Sequence, residues 1–376
     1  MPDLRTAHLE PLAFTDLAGF AEDDHQAAFA LFAEHAAAIL RDDPVLRPAM
    51  SASDALREIF RAALALDRID QAGARKFFET HFLPHRVFSD ANDQRGFMTG
   101  YYEPLIEGSL TPTKEFSAPV YGRPDDLVTL AAGETVPGLP QGLAAARRLA
   151  DASLIAYPDR AEIELGGLEG HAQPLLYLAD PVEVFFVQVQ GSARVVLPDG
   201  RQLRLTYAGR NGHPYTSIGR LLVENGEIPA DKIGLDSVKA WIRAKGQRPG
   251  EAGHALMARN RSYVFFALNA DLPGESGPIG GAGLSLVPLR SIAIDRQIWP
   301  YGLPIWLSTD LPWQSDIPTP FRRLCIAADT GSAIVGPARV DLFFGTGAEA
   351  GIRAGSIRHR CDFIALLPRA LAGGAA

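Results

Sequence analysis

The 376-residue sequence predicts a mainly β protein with α-helices (α+β), ordered as helices, then a mixed β region, then a compact β barrel. Three observations predict it. The length suggests two domains, or one large domain carrying an insertion. The 36 glycines and 28 prolines exceed their usual combined share of roughly 12%, which points to many turns between short strands. The apolar periodicity also switches from helical to strand-like after Arg95.

In the first hundred residues Phe29, Phe32, Ala36, Ile39 and Leu40 follow helical spacing. A second helix starts at Ser51 or Ser53, either of which can cap it, and carries Leu56, Ile59, Phe60, Ala63 and Leu64 on one face. A third runs from Gln71 to Phe82 and stops near Pro84. The aromatics on these helices read as core. Beyond Arg95, strand-like runs cover 96–104, 119–121, 162–165, 182–189, 193–197 and 202–207, with Asp199-Gly200 as a hairpin turn. Helices interrupt this region at about 142–152, at 216–225 with Asn225-Gly226 as a stop, and at 235–245. The last hundred residues return to short strands at 263–267, 292–293, 305–307, 324–328, 339–344 and 362–367. No repeat period is visible.

Charge excludes several classes. The net charge is −8 and no Lys/Arg cluster stands out, so a duplex nucleic-acid binder and an anionic-membrane binder are both disfavoured. Cys325 and Cys361 form no C-x-x-C pair; they read as buried strand thiols, with pairing in an oxidising compartment as the alternative. Residues 1–5 carry no apolar run and no stretch reaches membrane-span length. Read literally this is a cytosolic chain; the alternative is an exported one whose signal lies outside it.

Among candidate motifs, Asp329-Thr330-Gly331-Ser332 mimics the active turn of an aspartic protease, but that chemistry needs a second carboxylate and the chain has no second copy. The run 345–351 (Gly-Thr-Gly-Ala-Glu-Ala-Gly) mimics a dinucleotide fingerprint, yet too few residues follow for a Rossmann sheet, so it reads as a glycine-rich turn. No H-E-x-x-H, Walker A or G-x-S-x-G motif is present, and His213 reads as a structural loop residue. Asp295, Asp329 and Asp341 each end or interrupt a short apolar strand. Asp341 fits a surface-turn role worst, because Val340, Leu342, Phe343 and Phe344 surround it. Such a carboxyl has its pKa raised and can act as a general acid, and Asp329, twelve positions upstream, is the expected source of a further raising field.

The runs 293–296 (Ala-Ile-Asp-Arg), 298–302 (Ile-Trp-Pro-Tyr-Gly), 328–336 (Ala-Asp-Thr-Gly-Ser-Ala-Ile-Val-Gly) and 339–345 (Arg-Val-Asp-Leu-Phe-Phe-Gly) resemble the three-aspartate barrel domain. With 98–104 (Met-Thr-Gly-Tyr-Tyr-Glu-Pro), 188–192 (Gln-Val-Gln-Gly-Ser) and 207–219, they resemble the membrane-bound lytic murein transglycosylase A family. One departure is Ser332, where the family usually has a second glycine. The resemblance implies a double-psi β barrel built with the N-terminal helices from residues 1–104 and 262–376. It also implies an inserted, barrel-like β domain at 105–261 that forms the other wall of a substrate groove.

It places the catalytic aspartate at Asp341 with Asp329 in support, and Thr99, Tyr101, Gln188, Gln190, Ser192 and Asp295 toward substrate. It implies no metal and no cofactor. The substrate would be peptidoglycan glycan strands, cut between N-acetylmuramic acid and N-acetylglucosamine to leave 1,6-anhydro ends. Other periplasmic cell-wall enzymes are implied as partners of a monomer at the outer membrane, with the export signal or lipid anchor outside this chain. A non-catalytic, expansin-like glycan-binding protein is the main alternative, and an aspartic protease the lesser one.

Overall fold

The computed structural model describes residues 8–66, 68–89, 95–131, 134–270 and 276–372, so the N-terminal residues 1–5 read above lie outside it. The chain divides into two units, Met1–Tyr102 with Ser276–Ala376, and Glu103–Glu275. The first begins with strand β1 (His8–Pro11), helices α1 (His25–Leu40), α2 (Asp54–Leu64) and α3 (Gln71–His81), and strands β2 (Phe82–Phe88) and β3 (Gly96–Glu103). Each helix start has a side-chain cap. Asp24 accepts from Ala27 N at 3.0 Å, Ser53 from Leu56 N at 3.3 Å, and Asp70 from Gly73 N at 2.8 Å. Of the two serines expected to start α2, Ser53 does so. The inward faces carry Phe29, Phe32, Phe60, Phe77 and Phe78, all in the same buried cluster as Trp306 of the barrel.

The second unit holds β4 (Leu105–Ser109), β5 (Ala118–Tyr121), β6 (Leu127–Thr129), β7 (Ala145–Arg148), β8 (Leu154–Ala156), the short α4 (Arg160–Glu162), β9 (Pro174–Leu178), α5 (Pro181–Gln190), β10 (Ser192–Val196), β11 (Gln202–Arg210), α6 (Ile218–Glu224), α7 (Leu235–Lys245), α8 (Ala252–Ala258) and β12 (Val264–Asn269). Its main sheet has the order β12-β11-β10-β4-β9-β5, and a bridge between Gly122 and Phe266 joins the two edges, giving a barrel-like closure. The smaller sheet is β6-β7-β8. The chain then returns to the first unit with β13 (Ser291–Ala293), β14 (Pro304–Leu311), β15 (Thr319–Asp329), β16 (Arg339–Thr346), α9 (Ala348–Gly355), β17 (Arg358–Pro368) and α10 (Arg369–Ala372).

There, β17-β14-β15-β13-β16-β3 form a ring, because β3 also pairs with β17; β2 and β1 extend it outside. The result is the closed six-stranded barrel within a mixed α/β fold. One face of this sheet is apolar, with Ile292, Ile305, Leu307, Cys325, Ala327, Leu342 and Phe363 fully buried and brought to the same side by the register. Cys325 and Cys361 are buried free thiols in β15 and β17. Among the described residues no helix is long and apolar enough to cross a membrane.

Several elements differ from expectation. The run 182–189 is helix α5, not a strand: Asp180 caps it, Pro181 sits in its first turn and Gly191 closes it at φ +80°. Those end signals outweigh the β-branched and aromatic interior. Residues 162–165 are helical turns. The expected helix at 142–152 is instead strand β7, paired on both sides, with Ala145 and Ala146 buried; pairing overrides the alanines' helix preference. Gly347 is followed by helix α9 rather than a turn. Finally, β12 pairs with β11, so the strand expected to reopen the barrel at 262 belongs to the inserted unit.

Candidate active site

The pairing of short strands in the first unit brings the candidate carboxylates together. Strand β13 runs parallel to β15 and antiparallel to β16, and Ala293 is the register partner of both Asp329 and Asp341. Residues directly opposite one another share a sheet face. The two aspartates therefore flank a methyl group, with Cα atoms two strand spacings apart, about 10 Å. On β16, Arg339, Asp341 and Phe343 lie on one face by strand alternation, as do Thr99 and Tyr101 on the neighbouring β3. Between the latter two, Gly100 allows helix α9 to approach, since a Cβ there would meet Ala354 Cα at 2.8 Å.

Asp341 is thinly satisfied. Its Oδ1 accepts one hydrogen bond, from Thr99 Oγ1 at 2.6 Å. Burial is the largest influence on its carboxyl and pushes the pKa up to about 6. The positive charge of Arg339 and the Thr99 hydrogen bond pull the other way, and the Asp329 charge adds a smaller upward push. The raised pKa is thus mainly a matter of burial, and Asp329 is a weaker tuner than its nearness in sequence suggests.

Asp329 has a different setting. Its Oδ1 accepts from Gly281 N at 2.7 Å and from Thr330 N at 2.8 Å, and its Oδ2 accepts from Tyr101 Oη at 3.0 Å. Tyr101 packs its ring on Phe343, 5.4 Å between centroids. Burial, with both aspartates nearby, holds the Tyr101 phenol well above its ordinary pKa, so it stays a neutral donor. Gly281 is required for close approach: a Cβ would fall 2.4 Å from Tyr301 Oη. That hydroxyl donates to Arg47 O at 3.0 Å, and the Arg47 guanidinium donates to Thr330 O.

The remaining predicted site residues lie elsewhere. Asp295 is buried and both carboxylate oxygens are committed to loop amides, Oδ1 to Gln297 N at 3.0 Å and Oδ2 to Gly336 N at 2.8 Å. It clasps two turns together rather than joining the Asp341 group. Gln188, Gln190 and Ser192 belong to the second unit. On a strand Gln188 and Gln190 would share a face; on helix α5 they are about 200° apart. Gln188 is accordingly buried, its Oε1 accepting from Arg160 Nη2 at 2.6 Å and its Nε2 donating to Val264 O at 3.3 Å. Gln190 is partly exposed at the helix end, and Ser192 is buried opposite Thr206. His213 is buried with Nε2 at 2.7 Å from Tyr157 O, as expected of a structural residue.

Sequence reading did not single out Arg339, Gly281 or Arg47. Only Arg339 carried a signal, its i−2 spacing from Asp341. Among the described residues no group of three or more His, Cys, Asp or Glu is arranged to hold a metal ion.

Comparison with known proteins places this geometry. Residues 97–267 match the family described as MltA specific insert domain, and residues 290–367 match the 3D domain. A membrane-bound lytic murein transglycosylase A of Vibrio cholerae is 33% identical over 71% of this chain, and the match spans 64% of that protein, so the chain covers a little under two thirds of this curated relative. The crystal structure of a membrane-bound lytic murein transglycosylase from Agrobacterium tumefaciens superposes with a TM-score of 0.85 at 35% identity, covering 97% of this chain and 99% of that one. MltA from Neisseria gonorrhoeae, in its monoclinic form, gives a TM-score of 0.74 at 30% identity over 96% and 93% of the two chains.

Proposed function

Because this chain belongs to the membrane-bound lytic murein transglycosylase A family, we propose that it cleaves peptidoglycan glycan strands between N-acetylmuramic acid and N-acetylglucosamine, with Asp341 as acid and then base. The observation that carries this reading is the half-buried, singly bonded Asp341 carboxyl with its pKa pushed up to about 6. A carboxylic acid near that value holds a proton in mildly acid medium and can still surrender it.

In the first step protonated Asp341 gives its proton to the glycosidic oxygen, the bond to C1 of the muramoyl sugar breaks, and the glucosamine end departs as an alcohol. The nearby Arg339 charge favours the carboxylate so formed. In the second step that carboxylate takes the proton of the C6 hydroxyl of the same sugar, and O6 closes onto C1. Asp341 ends protonated, water is not consumed, and the product is a 1,6-anhydromuramoyl end. Glycosidases that hydrolyse use two carboxylates; here attack comes from within the sugar, so orientation replaces the second one.

Asp329, held by two amides and Tyr101, supports the site electrostatically. Gln190 is retained as a glycan contact, whereas Gln188 is reassigned to the Arg160 cluster. A periplasmic, outer-membrane-associated monomer fits this substrate. Digestion of purified sacculi followed by mass spectrometry tests the reading. Anhydro muropeptides are expected; reducing-end products, one water heavier, would mean a hydrolase. Binding with no released product would favour the expansin-like alternative.

A further inference from the structure

We propose that Arg339 is a positioning residue that acts on Asp341 through Thr99, fixing which oxygen of the carboxyl exchanges its proton with the sugar. This rests on the reading of Asp341 as the acid. The geometry is a relay on adjacent strands. Arg339 Nη2 donates to Thr99 Oγ1 at 2.7 Å, and Thr99 Oγ1 donates to Asp341 Oδ1 at 2.6 Å. Among the described residues Arg339 makes no ion pair with Asp341 itself.

A threonine hydroxyl has one proton and two lone pairs. With a guanidinium donating into its oxygen, the hydroxyl becomes a stronger donor and a poorer acceptor for a second proton. Its own hydrogen is thereby aimed at Oδ1 whether or not Asp341 is protonated. Oδ1 remains the acceptor, and the transferable proton resides on Oδ2. The same carboxyl must give and then take a proton, so a fixed Oδ2 keeps both transfers at one place.

The guanidinium is itself fixed. It also donates to the carbonyls of Phe97, at 3.4 Å, and of Val340, and its centre lies 5.4 Å from the Phe97 ring centroid. Burial lowers its pKa, with Asp341 opposing, but an arginine keeps its charge throughout the working range.

The groups near the carboxyl are few. Arg339 shares its strand, Thr99 and Tyr101 come from β3, and Asp329 from β15. Strand β13 presents Ala293 opposite Asp341. Helix α9, packed on β16, carries Glu349 and Arg353, the latter paired with Asp316 at 2.8 Å. Arg358 on β17 stands opposite Thr99 and is exposed.

The test compares full-length Thr99→Val, Thr99→Ser, Arg339→Met, Arg339→Gln, the double variant Thr99→Val/Arg339→Met, and Asp341→Asn, as pH profiles of sacculus digestion. In the native protein kcat/KM falls as pH rises through about 6, because the acid form is needed. Thr99→Val and Arg339→Met each remove an influence that holds the pKa down. Each moves this limb upward by about one pH unit and lowers kcat about tenfold, with KM within about twofold. Thr99→Ser restores both. The double variant loses less than the product of the two single losses, because part of the Arg339 effect passes through that hydroxyl and only its direct charge effect on Asp341 is left to lose in the Thr99→Val background.

Unshifted limbs, or losses that multiply in the double variant, would overturn the relay. If Arg339→Met does not fold, Arg339→Gln, which keeps a donor without the charge, must move the limb in the same direction; no movement there is also a refutation. Full activity in Asp341→Asn would instead remove the underlying reading.

Discussion

Two regions of the first unit, one holding a buried aspartate and one a half-buried aspartate, treat the carboxylate in opposite ways. Asp23, just before α1, accepts both Arg290 nitrogens, at 2.7 and 2.8 Å, and the Leu324 amide at 2.8 Å. Asp341, on the barrel strand β16, accepts one hydroxyl. Both sit in a wall of apolar side chains. At Asp23 the desolvation of the charge is offset by a forked partner and a backbone donor, which ties the start of α1 to β15. At Asp341 one hydroxyl and the Arg339 charge offset it only in part, so the proton is held to a higher pH than on an ordinary aspartate. The difference teaches that burial by itself does not mark a reactive acid; burial with too few donors does.

The largest expected effect is on turnover. Asp341→Asn should lower the rate of muropeptide release by about 10²–10⁴-fold, the usual worth of a positioned general acid, without loss of folded protein by circular dichroism. The Asp23 region should respond in the reverse sense. Asp23→Ala strands Arg290 in the interior and should cost about 3–5 kcal/mol in urea unfolding, while activity per folded molecule persists.

A third expectation links the two through pH. The folded Asp341 carboxyl titrates near 6, above the ordinary unfolded value of about 4. Between these values the folded chain holds a proton that the unfolded chain has released, so this residue's contribution to stability falls as pH rises from about 4 through 6. Asp341→Asn should therefore be more stable than the native chain above pH 7, by about 3 kcal/mol at most, with the gap closing below about pH 4. A constant gap would mean that the carboxyl is not destabilised by burial. The smallest effect is expected at Tyr101→Phe, which removes one of three donors to Asp329. It should cost about 1 kcal/mol, seen as a fall in kcat of a few-fold.

Much of this was legible in the sequence because it is local. Asp341 stood out as a charge inside a Val-Asp-Leu-Phe-Phe run, and the barrel strands showed themselves as short apolar stretches between Gly and Pro turns. The same locality explains the misses. The stretch 182–189 reads as a strand if its Val and Phe residues are weighed alone; Asp180, Pro181 and Gly191 at its ends decide for helix. With that, Gln188 turns inward to Arg160. Strand β7, with its Ala-Ala-Arg-Arg sequence, has no intrinsic strand signal and exists through its neighbours. The committed state of Asp295 depends on an amide forty-one positions away, at Gly336. Likewise the Arg339–Thr99–Asp341 chain spans strands about 240 residues apart, which no spacing rule reaches.

The central claim is that Asp341 is an acid by virtue of burial with a single donor. The measurement that meets it most directly is a carbon-13 NMR titration of the aspartate carboxyls, with Asp341 assigned by comparison with Asp341→Asn. A midpoint of about 6 for that resonance is predicted. A midpoint of about 4, the value of an ordinary solvated aspartate, would contradict it.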